Sequence, residues 1–185
     1  MDEQSLAPTL LLAMPQMQDP NFARSVVLLC RHEPEGAMGL VLNRPTGALV
    51  SSLVEIDPPL KHDSKMEIWV GGPVEPQRGW LLLGDDPGTS ESLTVAQGIY
   101  LSASMDALRR LLEVQGGPAK ESRFLLGYAG WAGGQLESEL VASAWLTVDV
   151  SKTLLFATHP EVMWETAIRS LGIDPYSLQM GSGVH

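Results

Sequence analysis

Short apolar runs, each closed by a turn sequence, place the strongest limit on how this chain can fold. The runs are rich in Val, Leu and Ile and are too short for ordinary helices, so they predict β-strands. They outnumber the predicted helices and several adjoin tight turns, which favours a mixed and largely antiparallel sheet over a doubly wound one. The predicted strands are Thr9–Ala13, Arg24–His32, Ala37–Asn43, Glu67–Val70, Gly79–Leu83, Ser92–Val95, Ile99–Ser102, Phe124–Leu126, Ala144–Val150 and Leu154–Ala157.

An amphipathic helix is predicted to begin after Ser104, which is a suitable N-cap. Gly116-Gly117-Pro118 is expected to end it. A shorter helix is predicted within Ala48–Ile56. The face of the first helix that is expected to be buried consists of Met105, Leu108, Leu111 and Leu112.

A second amphipathic helix is predicted after Thr158-His159-Pro160-Glu161. This segment has the spacing of a capping box, with proline in the first helical turn. Gly172 stands where a left-handed C-terminal cap is expected. The apolar face of this helix is predicted to contain Trp164, Ala167, Ile168 and Leu171.

The composition is that of an acidic globular chain. Its 185 residues suffice for one domain over 1–185, and 44% hydrophobic with 18% charged residues indicates a packed core. A net charge of −10 repels phosphate backbones and disfavours nucleic-acid binding. The single cysteine, Cys30, excludes an internal disulfide, and the acidic N-terminus lacks the pattern of a secretory signal or membrane span. We therefore expect a cytoplasmic protein without a membrane partner.

The stretch GYAGWAGGQLESEL (Gly127–Leu140) follows the apolar run Phe124–Leu126. A strand, a glycine-rich turn and a helix in that order can bind a phosphate. The glycine spacing fits neither the dinucleotide nor the phosphate-loop pattern, and no Lys-Ser/Thr pair follows. In a helix that begins near Gly133, Glu137 would lie in the first turns and balance the positive end. We predict a structural connection rather than a nucleotide site.

Two glutamates in this stretch resemble a catalytic pair but do not have the spacing for one. Glu137 and Glu139 lie two positions apart, so on a helix they point in nearly opposite directions. Leu136 and Leu140 are expected to form the buried face, with Trp131 closing one end of the core. Glu139 flanks that face, and we expect it to accept hydrogen bonds from neighbouring backbone.

The cysteine and the histidines show no metal-site or catalytic pattern. The four histidines have no paired spacing, and neither C-x-x-C nor G-x-S-x-G occurs. No metal, cofactor or catalytic residue is expected. Cys30 is interpreted as a buried, inert thiol. His32 lies two residues further along the same predicted strand, so both side chains are expected on one face.

Two clusters at predicted turns are the remaining candidates. In Asn43-Arg44-Pro45-Thr46-Gly47, Arg44 either binds an anion or pairs with a surface carboxylate. Gly71-Gly72-Pro73-Val74 predicts a bend where backbone approaches backbone. The candidate ligand-binding residues are Asn43, Arg44, Thr46, Tyr128, Trp131 and Gln135, and the structural positions are Gly71, Gly72, Pro73, Gly127, Gly130 and Glu139.

Several blocks of residues follow one another along nearly the whole chain. They are Ala13-Met14-Pro15 with Met17, Asp19-Pro20 and Phe22; Ser25-Val26; Gly36-Ala37-Met38-Gly39; Leu42-Asn43-Arg44-Pro45; Gly71-Gly72-Pro73-Val74; Gly127-Tyr128-Ala129-Gly130-Trp131; Gln135-Leu136-Glu137 with Glu139-Leu140; and Trp145-Leu146. In this order the blocks resemble the YqgE/AlgH family, also called UPF0301 or DUF179, and the resemblance extends from about Thr9 to Gly181.

The resemblance implies a bacterial cytosolic protein with one α+β domain. Its mixed, mostly antiparallel sheet would fold into a flattened pseudo-barrel with flanking helices. One branch of the family is labelled a regulator of polysaccharide-gene expression, and the resemblance supplies no catalytic residues or cofactor.

We therefore predict a non-enzymatic regulatory or protein-interaction domain with an unknown protein partner. One alternative is a small-ligand binder or enzyme with a cleft near Asn43/Arg44 and Tyr128/Trp131. The other is a transcriptional regulator, which the net charge of −10 disfavours. That alternative requires the fold to gather its arginines on one face: Arg24, Arg31, Arg44, Arg109, Arg110 and Arg123. The oligomeric state stays open.

Overall fold

Ten strands form the framework of the described part of the protein. The computed structural model describes residues 4–61, 64–114 and 120–180. The strands are β1 (Thr9–Ala13), β2 (Val26–Glu33), β3 (Gly36–Val41), β4 (Pro45–Leu49), β5 (Glu67–Val70), β6 (Val74–Leu83), β7 (Ser92–Ala96), β8 (Ile99–Ser102), β9 (Ser122–Ala132) and β10 (Trp145–Val148). The helices are α1 (Val50–Leu53), α2 (Met105–Leu112), α3 (Gln135–Val141), α4 (Pro160–Arg169) and α5 (Pro175–Met180), with a π-helical turn at Thr153–Ala157.

The strands form one curled sheet with the order β10-β1-β2-β3-β9-β6-β8-β7. Strand β5 lies parallel to β9 and carries β4 on its other side, while the other neighbours are antiparallel. The sheet curls into a half-barrel flanked by the helices. The predicted α+β class with mostly antiparallel pairing is confirmed.

Strand β9 joins the two halves of the sheet and corrects one prediction from sequence. The first half of β9 pairs with β5 and β6, and its second half pairs with β3. The segment Gly127–Ala132 is therefore strand rather than turn, because β3 pairs with Ala129–Ala132 and β6 pairs with Tyr128. The turn begins at Gly133, and the left-handed Gly134 (φ 79°) precedes α3.

The backbone approaches itself closely at Gly71-Gly72, as predicted. A Cβ on Gly71 would lie 2.4 Å from the carbonyl oxygen of Gly127, and one on Gly72 would lie 2.1 Å from a backbone carbon of β9. The Gly71 N–H donates to the carbonyl of Leu126 at 2.7 Å, and its own carbonyl accepts from Val41 N–H at 2.7 Å. No side chain fits between these segments.

Three groups of buried side chains pack on the sheet. The inner cluster joins residues from β1 and β10 to residues of β7 and β8, so it lies on the inner face of the curl. The π-helical turn and α4 fill part of this face, with Trp164 donating its indole N–H to the carbonyl of Ala13 at 2.8 Å. A second cluster packs the outer face against α3, and a third packs β5, β6 and β9 against α2.

The segment Leu154–Ala157, predicted as a strand, lies in the π-helical turn instead. The Leu155 N–H donates to the Ser151 carbonyl at 3.0 Å, and the Thr158 hydroxyl donates to the Thr153 carbonyl at 2.9 Å. The three central side chains of the turn are all buried. A short apolar run does not distinguish a strand from a buried helical turn, which explains the error.

The beginning of α4 also differs from prediction. His159 is the N-cap, because its Nδ1 accepts from the Glu161 N–H at 3.3 Å, so the capping-box interpretation of Thr158 was wrong. Pro160 is the first helical residue, and the left-handed Gly172 (φ 75°) follows the helix, both as predicted.

The faces of α2 and α4 agree with prediction apart from two residues at the helix ends. Ser104 caps α2 by accepting from the Ala107 N–H at 3.2 Å. Met105, the first residue of α2, and Leu171, which lies beyond the end of α4 at Arg169, were predicted to be buried but are exposed. The predicted end of the first helix, 116–118, lies outside the described residues.

Candidate functional site

The inner face of the half-barrel opens to solvent as a groove of about 760 Å³, which we call the inner groove. It crosses neighbouring strands of the sheet from β2 to β7. Its floor belongs to the inner cluster or packs against it, so the groove is the part of that face that the C-terminal helices leave uncovered. The floor side chains are Cys30, Met38, Trp80, Leu101 and Tyr128.

Two aromatic side chains form the centre of the floor. Trp80 on β6 and Tyr128 on β9 meet edge to face, with 6.2 Å between ring centroids and an angle of 87°. The guanidinium of Arg78 lies over the Trp80 ring, 4.4 Å from its centroid. Within the described residues the buried indole N–H of Trp80 has no hydrogen-bond acceptor. Packing and Arg78, rather than a hydrogen bond of its own, therefore hold this ring.

Charged side chains line the rim of the inner groove. Arg31, Glu33 and Glu35 come from the β2–β3 hairpin, and Glu91 lies next to β7. All four are exposed, and none forms an ion pair with another of the described residues. Arg78 pairs with Glu75 at 3.3 Å. The rim thus carries charges of both signs.

A β-bulge at Cys30 separates two side chains that the sequence places together. The pairing of β2 with β3 shifts between Leu29 and Arg31, so Cys30 and Arg31 both face the inner groove. His32 then points to the outer face, where its Nε2 contacts Glu137 on α3. The predicted Cys30/His32 proximity on one face was wrong, because a bulge resets strand alternation. Burial raises the pKa of the Cys30 thiol to about 12.

His32 ties three segments together on the outer face. Its Nδ1 accepts from the Leu6 N–H at 3.0 Å, so the Nε2 nitrogen is the donor to Glu137. This hydrogen bond holds the pKa of the Glu137 carboxyl below its usual value. The pair connects the N-terminal segment, β2 and α3.

Glu139 is the centre of an aromatic cluster on the same face. One carboxylate oxygen accepts the indole N–H groups of Trp131 and Trp145 at 2.9 and 2.8 Å, and the other accepts from Gln135 at 2.9 Å. Phe22 meets the Trp145 ring edge to face at 5.8 Å. The expectation that Glu139 binds backbone donors was wrong, since its partners are side chains that only the fold brings together. Trp131 closes this side of the core as predicted, with 6% of its surface exposed.

Comparison with known proteins assigns the chain to a family. The model of the AlgH-like family, DUF179, matches residues 10–176. The chain belongs to this family.

Its similarity to AlgH-like proteins extends over whole chains. A UPF0301 protein of Myxococcus xanthus is 44% identical, and the match covers 98% of this chain and 99% of that protein. A UPF0301 protein of Xanthomonas axonopodis pv. citri is 41% identical, and the match covers 96% of this chain and 95% of that protein. The solution structure of the AlgH protein from Pseudomonas aeruginosa matches with a TM-score of 0.77 and 36% identity, covering 100% of this chain and 98% of that one. The crystal structure of protein DIP2367 from Corynebacterium diphtheriae matches in fold, with a TM-score of 0.71, 22% identity, and coverage of 92% and 90%.

In this AlgH-like fold the predicted ligand-binding residues fall in separate places. Tyr128 lines the inner groove, and Trp131 borders it although its indole belongs to the aromatic cluster of the outer face. Arg44 and Thr46 line a second groove of about 340 Å³ beside Gly72 and Pro73. Gln135 lines neither of these two grooves. The predicted clusters therefore do not share one cleft.

Hydrogen bonds to backbone explain the first predicted cluster. The buried Asn43 accepts from the Val26 N–H at 3.1 Å and donates to the Arg24 carbonyl at 3.0 Å. Arg44 donates to the Ala23 carbonyl and forms no ion pair with another described residue, so the alternative in which it pairs with a surface carboxylate was wrong. The turn predicted after it is the beginning of strand β4 instead. Partial burial lowers the pKa of its guanidinium. Thr46 donates to the Ile68 carbonyl at 2.7 Å, which joins β4 to β5.

The arginines named for the transcriptional alternative do not line one groove. Arg24 pairs with Glu165 at 3.0 Å and stacks on Trp164, and Arg109 pairs with Glu113 at 3.0 Å. Arg123 donates to the carbonyl of Phe156 at 2.9 Å. The others line three different grooves: Arg31, Arg44 and Arg110.

Within residues 4–61, 64–114 and 120–180, no group of three or more His, Cys, Asp or Glu side chains has the arrangement of a metal site. None of the helices in that part has both the length and the apolar character needed to cross a bilayer.

Sequence reasoning did not single out Arg78 and Trp80 as candidates. Both lie on β6, two positions apart, and the Arg-x-Trp spacing, which places both side chains on one face of a strand, is the sequence signal that would have found them. Their importance depends on Tyr128, which the pairing of β6 with β9 brings alongside.

Proposed function

We propose that this protein is a non-enzymatic binding protein that accepts a segment of a partner protein in the inner groove. The observation that carries this proposal is the composition of the groove: the rings of Trp80 and Tyr128 meet on an open face. Tryptophan and tyrosine are among the side chains that contribute most binding energy at protein interfaces. Occupancy of the groove would regulate the partner.

The chemistry of the groove supports binding rather than catalysis. Cys30 is the thiol that borders it, and a pKa of about 12 keeps this thiol protonated at neutral pH. A protonated thiol is a weak nucleophile. The proposal includes a cytoplasmic location, in keeping with a single cysteine that forms no internal disulfide.

A small ligand is the second candidate, and the volume of the inner groove favours it. At about 760 Å³ the groove is within the usual range of small-molecule sites, roughly 300–1,000 Å³. Thermal shifts with a metabolite library separate the two candidates, since a small ligand would raise the melting temperature without any peptide.

The test of the first candidate is selection of random peptides displayed on phage against the immobilised protein. Leu93, which lines the groove from β7, is exposed, so Leu93→Ser should leave the fold intact and weaken the selected peptides about tenfold. Val162→Ser on α4 is the matched control, because Val162 is similarly exposed but lies outside the groove. If no peptide is enriched, or if both variants bind equally well, the proposal is wrong.

A further inference from the structure

We infer that the partner segment is basic, with lysine or arginine side chains alternating with apolar ones. This inference rests on the proposed function and specifies the chemistry of its partner. Three features of the inner groove lead to it: the charge of its rim, the arginine on Trp80, and the apolar floor between them.

Electrostatics favours a cationic partner. The chain carries a net charge of −10, so its long-range field attracts basic segments and repels acidic ones. At the groove, the carboxylates of Glu33, Glu35 and Glu91 are exposed and form no ion pair with another described residue. Of the two arginines at the groove, Arg78 already has its positive charge offset by the carboxylate of Glu75. The rim therefore has unpaired carboxylates for an incoming cation.

The contact between Arg78 and Trp80 shows how such a cation can bind. A guanidinium lies 4.4 Å from the centre of the indole ring, within the distance of a cation–π interaction. Arg78 is half exposed, and its ion-pair partner among the described residues is an exposed glutamate three residues away. An arginine or lysine of the partner can take its place on the ring. The protein thus contains an internal copy of the contact that we infer.

Apolar surface between these charges accounts for the alternation. Leu93 and Leu101 are cross-strand neighbours on β7 and β8, and both line the groove together with Met38. A segment that presents only charges would leave this surface in water. Apolar side chains between the basic ones cover it and gain the free energy of that burial.

Three synthetic peptides of equal length test the inference: Leu-Lys repeats, Leu-Glu repeats and Ser-Lys repeats. Fluorescence anisotropy at low salt should detect Leu-Lys binding at least about tenfold tighter than Leu-Glu or Ser-Lys. Raising the salt concentration should reduce the difference in affinity between Leu-Lys and Leu-Glu, because salt screens the attraction between the peptide's lysines and the carboxylates of the rim. The triple variant Glu33→Gln/Glu35→Gln/Glu91→Gln should weaken Leu-Lys about tenfold at low salt.

Arg78→Gln and Arg31→Gln form a matched pair. Each removes one positive charge from the groove, but only Arg78→Gln also uncovers the Trp80 ring. Both should tighten Leu-Lys binding, Arg31→Gln about twofold and Arg78→Gln about fivefold. Replacing an ordinary contact residue would instead weaken Leu-Lys binding.

The outcomes separate this inference from the proposed function. If selected peptides bind in the groove but Leu-Lys and Leu-Glu bind equally, the inference is wrong and the proposed function stands. If Arg78→Gln and Arg31→Gln have equal effects, the partner's cation does not occupy the Trp80 ring. If neither the repeats nor any selected peptide binds, both proposals are overturned.

Discussion

Replacing Glu139 by alanine tests whether one carboxylate holds the aromatic cluster of the outer face together. The carboxylate accepts from the indole N–H groups of Trp131 and Trp145 at 2.9 and 2.8 Å and from Gln135 at 2.9 Å. Both indole rings are buried, with 6% and 4% of their surface exposed. In Glu139→Ala these two donors lose their acceptor inside the core.

The magnitude follows from those two donors. A buried donor without an acceptor costs about 1–3 kcal/mol. Glu139 itself is half-buried, so water reaches part of the space that the carboxylate leaves. We therefore expect Glu139→Ala to lower the free energy of unfolding by about 2–4 kcal/mol, below the sum of two full penalties.

Glu139→Gln is the matched control. Its amide oxygen still accepts from the indoles, but its NH₂ group faces the NH₂ group of Gln135. The amide of Gln135 cannot turn without loss, because its oxygen accepts from the Ala132 N–H at 3.0 Å. We expect Glu139→Gln to cost about 1 kcal/mol, clearly less than alanine.

Urea unfolding followed by far-ultraviolet circular dichroism measures these differences without relying on the two tryptophans. The parent, Glu139→Ala and Glu139→Gln are compared at neutral pH. Our explanation is refuted if Glu139→Ala unfolds within about 0.5 kcal/mol of the parent, the range of an ordinary surface change. Equal losses in the two variants would also refute it, because packing of the rings alone would then hold the cluster.

Three further predictions concern the backbone, the outer-face ion pair and the thiol. Gly127→Ala should destabilise the protein far more than Gly47→Ala in urea unfolding. Both glycines have φ near +75°, but a Cβ at position 127 would lie 2.2 Å from a carbonyl oxygen, whereas a Cβ at position 47 would meet nothing within 4 Å. The hydrogen bond from His32 lowers the pKa of Glu137. The stability advantage of the parent over Glu137→Gln should therefore be full above the ordinary glutamate pKa of about 4.3, and it should disappear as the pH falls through the lowered pKa of Glu137. An advantage that grows on acidification would contradict this. Cys30, with its pKa raised to about 12, should not react with a thiol reagent at neutral pH until urea unfolds the chain; rapid labelling of the native protein would show that the thiol is not held as described.

The sequence determined the elements whose signals are local. The spans Thr9–Ala13, Glu67–Val70 and Ile99–Ser102 were predicted with the bounds that the structure has, because turn residues close each run. The Ser104 cap and the left-handed Gly172 were also predicted, since each depends on the few residues around it. The close approach at Gly71-Gly72 followed from the conformational freedom of glycine.

The tertiary structure decided every feature that depends on which strands are neighbours. Gly127–Ala132 is strand because β3 pairs with most of it and β6 pairs with Tyr128, whereas composition alone suggested a turn. The bulge at Cys30 turns His32 to the outer face, since one extra residue reverses strand alternation. The inner groove arises only when β6 pairs with β9 and sets Trp80 beside Tyr128, residues that lie far apart in the chain. No local pattern in the sequence encodes that pairing.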